Sequence, residues 1–192
     1  MLYLNQLDYP DIPYCHNMDH GGVPEERRKI STSGCGICSA CMIVEHLTTK
    51  TLSIEECVEL SYRSGANRQI GTRMEHLGPL VAQLYGLSFE MTNDIDVLLA
   101  HLQKGGEAAV NVGGDHDDHN GLFSKGGHYI VAVSYDGQEV CILDPSYKEG
   151  KYEEEGRKGK VRVDAPFAYC SAENLDADVQ NKAIRYFLFK RK

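Results

Sequence analysis

Apolar positions change their period about halfway along the chain, and that change predicts the architecture. In the first half they recur at helical spacing. Cys35, Cys38, Met42, Ile43 and Leu47 share one face, which predicts a helix over Cys35–Leu47. The preceding Ser31-Thr32-Ser33-Gly34 supplies several residues able to cap its start. Ser53 and Glu56 have the spacing of a capping box and open a second helix to about Ser64. A third is expected over 73–84, closed by Gly86. A short strand follows over 87–91, and then a helix over 94–103, capped by Asn93 or Asp94 and ended by Gly105-Gly106.

The second half reads as strands. Residues 108–112 are an apolar run, and 128–134 and 138–143 are strands joined at Asp136-Gly137, a strong hairpin signal. Residues 161–163 and 185–189 are further strand candidates. Between them, 148–160 is charged and punctuated by glycine, which reads as a solvated hairpin or loop. At the start, Pro10, Pro13, Gly21, Gly22 and Pro24 mark an irregular arm. The expectation is an α+β fold in one domain over 1–192. It has an arm over 1–33, a mainly helical half over 35–104 and a sheet half over 107–192, with helix Cys35–Leu47 packed on an antiparallel sheet.

Composition narrows the function classes. At 192 residues, with 42% hydrophobic and 25% charged, the chain has the makeup of one folded domain with a sizeable core. The formal net charge of −8 repels phosphate backbones, so no nucleic-acid partner is expected. No apolar run approaches the ~18 residues of a membrane span, and residues 1–6 do not read as a signal peptide. No membrane partner and a cytoplasmic location are therefore expected. Seven cysteines, an odd number, argue against a disulfide framework.

The candidate chemistry begins at Cys35, which stands between Gly34 and Gly36 at the start of a helix. There the first N–H groups lack carbonyl partners and the helix dipole adds roughly half a positive charge, so thiolate is favoured over thiol. The same N–H groups can bind a carbonyl oxygen as it becomes an oxyanion, and the glycines let a substrate backbone approach. Cys38 and Cys41 lie deeper in the helix and are expected to be inert core residues.

A thiolate needs a base, and the base needs an orienter. His128 opens one strand of the hairpin, and Asp144, followed by Pro145, closes the other. A two-residue loop at Asp136-Gly137 would pair Tyr135 with Gln138 and put His128 and Asp144 on opposite faces. A three-residue loop, Tyr135 to Gly137, pairs Ser134 with Gln138 and sets His128 directly across from Asp144. The second geometry is expected, with Gly137 at positive φ.

These residues resemble a known family. Gln6, Ser33-Gly34-Cys35-Gly36, Gly127-His128-Tyr129-Ile130-Val131 and Leu143-Asp144-Pro145 occur in the order seen in stand-alone relatives of the bacteriocin-processing, double-glycine leader peptidases. The resemblance covers roughly residues 3–150. It implies a papain-like cysteine peptidase fold, Cys35 as nucleophile, His128 as general base and acid, and Asp144 as the orienting residue. It also implies a Gln lending a side-chain N–H to the oxyanion hole, for which Gln6 is the candidate. Gln6 departs from the family by its long separation from Cys35, and the Cys-x-x-Cys-x-x-Cys run of residues 35–41 is not part of the pattern.

The expected activity is a cysteine peptidase or amidohydrolase acting on a peptide or amide through a thioester on Cys35. No cofactor and no metal are expected. An acyltransferase or peptide-ligating enzyme on the same residues is one alternative, and a non-catalytic binding domain on the same fold is another. Cys35, Cys38 and Cys41, with Cys57, also have a spacing found in iron–sulfur sites, but cluster ligands usually sit on loops and this segment reads as a helix. His116-Asp117-Asp118-His119, within the glycine-bracketed segment 113–127, reads as a solvated loop, with a lid over the cleft or a cation site as alternatives. Cys15-His16 with Asp19-His20 lacks a second cluster to complete a metal site.

Overall fold

The computed structural model describes residues 1–15, 25–67 and 71–192. Helices α1 (Ile30–Ser33), α2 (Cys35–Leu47), α3 (Ile54–Arg63) and α4 (Met74–Tyr85) come first. Strand β1 (Leu87–Thr92), helix α5 (Ile95–Gln103) and strands β2 (Glu107–Val112), β3 (His128–Tyr135) and β4 (Glu139–Leu143) follow. The chain continues through β5 (Arg162–Asp164), β6 (Phe167–Ser171), α6 (Ala172–Ala177) and β7 (Tyr186–Arg191). Local signals set most helix ends. Ser53 and Glu56 form both bonds of the capping box, Gly86 closes α4 at φ 73, and Asp94 caps α5 through the Asp96 N–H.

All strands join one antiparallel sheet in the order β1-β7-β2-β3-β4-β6-β5. Side-chain alternation divides its apolar residues between two layers. Ala109, Tyr129, Val131, Phe187 and Phe189 pack with α2, α3 and α4 on one face. Their neighbours Ala108, Val110, Ile130, Ala132, Tyr186 and Leu188 pack with Leu98 and Leu102 of α5 and Leu175 of α6 on the other. The helical half therefore does not stay on one side: β1 becomes an edge strand and α5 crosses to the far face. Helix α2 lies across β3, β2 and β7 with Ile37, Met42, Ile43, Val44 and Leu47 buried. Each such side chain contributes about 1.5–3 kcal/mol on burial, which fixes the position of the α2 N-terminus over the sheet.

That N-terminus is built differently from the sequence expectation. Gly34 is the N-cap and makes no side-chain cap bond. Ser31, Thr32 and Ser33 instead lie within α1, where the Ser33 hydroxyl donates to the Arg27 carbonyl at 2.8 Å. The flanking glycines are required by packing. A Cβ on Gly34 would lie 2.7 Å from Ile30 Cγ2, and one on Gly36 would lie 2.6 Å from Thr72 Cβ. Among the described residues, no helix is long and apolar enough to cross a membrane.

Candidate active site

The antiparallel pairing of β3 and β4 brings the start of one beside the end of the other, so His128 and Asp144 meet at one end of the sheet. The register differs from the expected one. Tyr135 pairs with Val140 and Asp136 N–H donates to the Glu139 carbonyl, so the connection is Gly137-Gln138, with Gly137 at φ 100. The positive φ is as expected, but the loop has two residues and the pairing is displaced. Continued unchanged, that register would put His128 and Asp144 on opposite faces. A bulge between Ala132 and Ser134 shifts it by one, to Ala132 with Ile142 and Val131 with Leu143. The bulge restores the parity that the turn removes, and the two side chains share a face again.

His128 Nε2 lies 2.8 Å from Asp144 Oδ1. The same carboxylate oxygen accepts the Ser146 N–H at 2.9 Å and the Ser146 hydroxyl at 3.1 Å. The other oxygen, Oδ2, accepts from the Lys151 ammonium and, at 2.6 Å, from the Tyr152 hydroxyl. With Nε2 engaged by Asp144, Nδ1 is the ring nitrogen left for Cys35, which lies close enough to His128 for each to shift the other's protonation. Asp144 is 1% exposed and His128 6%, whereas Cys35 keeps partial access to solvent.

These contacts set the protonation states. Burial alone would raise the Cys35 pKa; the His128 charge and hydrogen bond, with the Tyr129 and Gly36 N–H groups, outweigh it and lower the pKa below its ordinary value. Burial pushes the His128 pKa down, but the Cys35 charge and the bond to Asp144 raise it to about 9. Burial would raise the Asp144 pKa, yet His128 and Lys151 hold it well below the usual carboxylate range. A thiolate–imidazolium pair is therefore favoured. Elsewhere on α2 the direction reverses, because burial pushes the thiols of Cys38 and Cys41 upward.

Gln6 reaches this region despite its distance along the chain. Residues 12–14 pair with 28–30, through Ile30 N–H to the Ile12 carbonyl and Tyr14 N–H to the Arg28 carbonyl, closing the base of the arm. The residues before it run beside 144–147. Tyr3 donates its hydroxyl to the Asp144 carbonyl at 2.8 Å, Asn5 its amide to the Tyr147 carbonyl at 2.7 Å, and Gln6 its backbone N–H to the Pro145 carbonyl at 2.7 Å. Gln6 Nε2 donates one hydrogen to the Ser31 carbonyl at 3.0 Å, leaving its second N–H, and the buried Oε1 has no partner.

The remaining candidate clusters separate from the site. Cys38, Cys41 and Cys57 are buried in helices. Among the described residues, no three His, Cys, Asp or Glu side chains are arranged to hold a metal ion. His16, Asp19 and His20 lie outside the described residues. His119 Nε2 pairs with buried Asp178 at 2.8 Å, and Leu122 and Phe123 are 1% and 0% exposed. The 113–127 segment is thus anchored in the second core layer at Leu122 and Phe123, while Asp115, Asp117, Asp118 and Asn120 stay exposed, as the solvated-loop reading expects.

Segment 148–160 is exposed over most of its length, as a solvated loop would be, but Lys151, Tyr152 and Arg157 are buried. Lys151 and Arg157 are each 5% exposed; Lys151 reaches Asp144, and Arg157 donates to the Gly121 carbonyl at 2.8 Å. Lys151 and Tyr152 meet the Asp144 carboxylate, and Arg157 braces Lys151 through its carbonyl. Ser146, Lys151 and Tyr152 are the site residues that sequence reasoning missed, and local pattern carries no signal for them.

A model of the Peptidase_C39 like family matches residues 9–164. Among solved structures, the chain is similar to the crystal structure of a candidate C39-like peptidase from Bacillus anthracis. The identity is 14% and the TM-score 0.62, with 100% of this chain and 94% of that one covered. At that identity the likeness concerns the fold alone. No curated protein matches the chain.

Proposed function

The chain belongs to the Peptidase_C39 like family, with the α+β fold of papain-like cysteine peptidases, and on that premise we propose that it hydrolyses a peptide or amide bond with Cys35 as nucleophile. The observation that supports the reading is the 2.8 Å bond from His128 to a fully hydrogen-bonded Asp144, with Cys35 near enough to His128 for their charges to interact. The Cys35 thiolate attacks the carbonyl carbon, forming the C–S bond while the carbonyl electron pair moves to oxygen. N–H groups at the open start of α2 and the second amide N–H of Gln6 receive that oxyanion. Its collapse breaks the C–N bond, and His128 gives its proton to the leaving amine. Water then attacks the thioester, His128 takes the water proton, and the acid and the Cys35 thiolate are released. Asp144 keeps the imidazole oriented and its cation stabilised throughout. No cofactor takes part.

The pH dependence follows from the shifts. His128 is raised from 6.5 to about 9, so its proton is fully present below pH 6.5 and is lost as pH rises through about 9. Cleavage is expected to fall over that upper range, as the imidazole loses the proton that the leaving amine needs. A cleavage rate still constant two units above that midpoint would contradict the assignment.

The activity is tested with a proteome-derived peptide library read by mass spectrometry. New termini are expected with the native chain and not with Cys35→Ala. Products carrying an added amine would assign an acyltransferase instead. Bound but uncut peptides would assign a binding domain.

A further inference from the structure

We infer that Lys151 is a positioning residue of this site, a buried cation that fixes Asp144 as a carboxylate and directs its Oδ2 away from His128. The inference rests on the reading of Cys35, His128 and Asp144 given above.

The two carboxylate oxygens are divided between two cations. Oδ1 serves His128 and Ser146, while Oδ2 serves Lys151 and Tyr152. The Lys151 nitrogen donates to three oxygens, Asp144 Oδ2, Ser146 Oγ at 2.8 Å and the Ser146 carbonyl at 3.4 Å, and lies 5.7 Å over the Tyr152 ring. Three donors and no acceptor describe an ammonium, and its three partners match that count. Ser146 Oγ is in turn 3.1 Å from His128 Nε2, so one hydroxyl touches base, carboxylate and cation. Burial pulls the ammonium pKa down and the Asp144 carboxylate opposes it.

The consequence concerns charge as well as geometry. A lone carboxylate behind His128 would stabilise its imidazolium with a full negative charge. Lys151 cancels part of that charge, so Asp144 orients the ring without retaining its proton as strongly. The other groups facing this pair are Cys35 beyond His128, Tyr152 and Arg157 from the covering segment, and Tyr3 from the N-terminal arm, whose hydroxyl donates to the Asp144 carbonyl. Among them, Lys151 is the cation bonded to Asp144 Oδ2.

The test follows the His128 imidazole by NMR as pH is varied, in the full chain labelled at histidine. Lys151→Met is expected to raise the His128 midpoint by about one unit, and Lys151→Arg to leave it near that of the native chain. Cleavage should fall roughly tenfold in kcat for Lys151→Met, with KM little changed, and recover with Lys151→Arg. An unchanged or lowered midpoint in folded Lys151→Met overturns the inference, because a purely structural lysine would move stability alone. Cys35→Ser separates the underlying reading: it should lower the His128 midpoint, and no change there would sink the Cys35–His128 pairing while leaving the Lys151 comparison intact. Should Lys151→Met fail to fold, the ammonium is read in the native chain. A slowly exchanging Lys151 15N signal that is lost in Asp144→Asn supports the inference, and a deprotonated amine overturns it.

Discussion

Cys35→Ala is expected to lower peptide cleavage by at least ~10⁴-fold while leaving the fold intact. The side chain is partly exposed at a helix start, so its loss opens no deep cavity. Its loss does remove the nucleophile, and His128 then has no thiolate to face. Cys38→Ala is the matching control. Cys38 is fully buried, so its removal should cost about 1 kcal/mol of stability and leave the rate per folded molecule nearly unchanged. Urea unfolding and cleavage rates measured on the same samples separate the two outcomes. Equal losses of rate in both variants would contradict the assignment of Cys35.

The second large effect belongs to Asp144→Asn, and it should appear in both rate and stability. The amide no longer stabilises the imidazolium and presents an ambiguous partner to Nε2, so kcat should fall by about 10³–10⁴-fold. The same change leaves the Lys151 cation buried at 5% exposure without its carboxylate. Breaking one side of a buried pair destabilises by about 3–5 kcal/mol. Adding Lys151→Met to Asp144→Asn should recover much of the stability and none of the rate. A double variant as unstable as the single one would show that the pair is not the source of the loss.

How much of this was legible in the sequence depends on how local its cause is. The span of helix α2 was predicted because its apolar face lies within its own residues, whereas its expected capping residues Ser31–Ser33 belong to α1. The α3 capping box and the left-handed Gly86 were equally local. Cys35, His128 and Asp144 were singled out together, and the structure brings them together. The hairpin count was wrong by two compensating irregularities, since the shorter turn and the bulge between Ala132 and Ser134 each reverse the facing of the strand. A count that tracks only the loop sees neither.

The missed parts depend on distant partners. Strand β6 has only five residues and exists through pairing with β4 and β5. Helix α6 has six, too few to show a period. Lys151 and Arg157 sit in a run whose composition favours solvent. Their burial is set by Asp144 and by the Gly121 carbonyl, which no neighbouring residue announces. Gln6 shows the converse: far from Asp144 in sequence, it is drawn beside residues 144–147 by the Gln6 N–H to Pro145 carbonyl bond, with the base of the arm closed at Pro13 and Lys29.

The central claim is that one thiol in this chain is held ready as a thiolate. It is tested most directly by limited iodoacetamide labelling at mildly acidic pH, with each cysteine quantified by peptide mass spectrometry. Cys35 should be modified at least ~100-fold faster than Cys38, Cys41 or Cys170, whose burial pushes their thiols the other way. His128→Ala should erase that lead. Labelling of Cys35 no faster than the others in the native chain would contradict it.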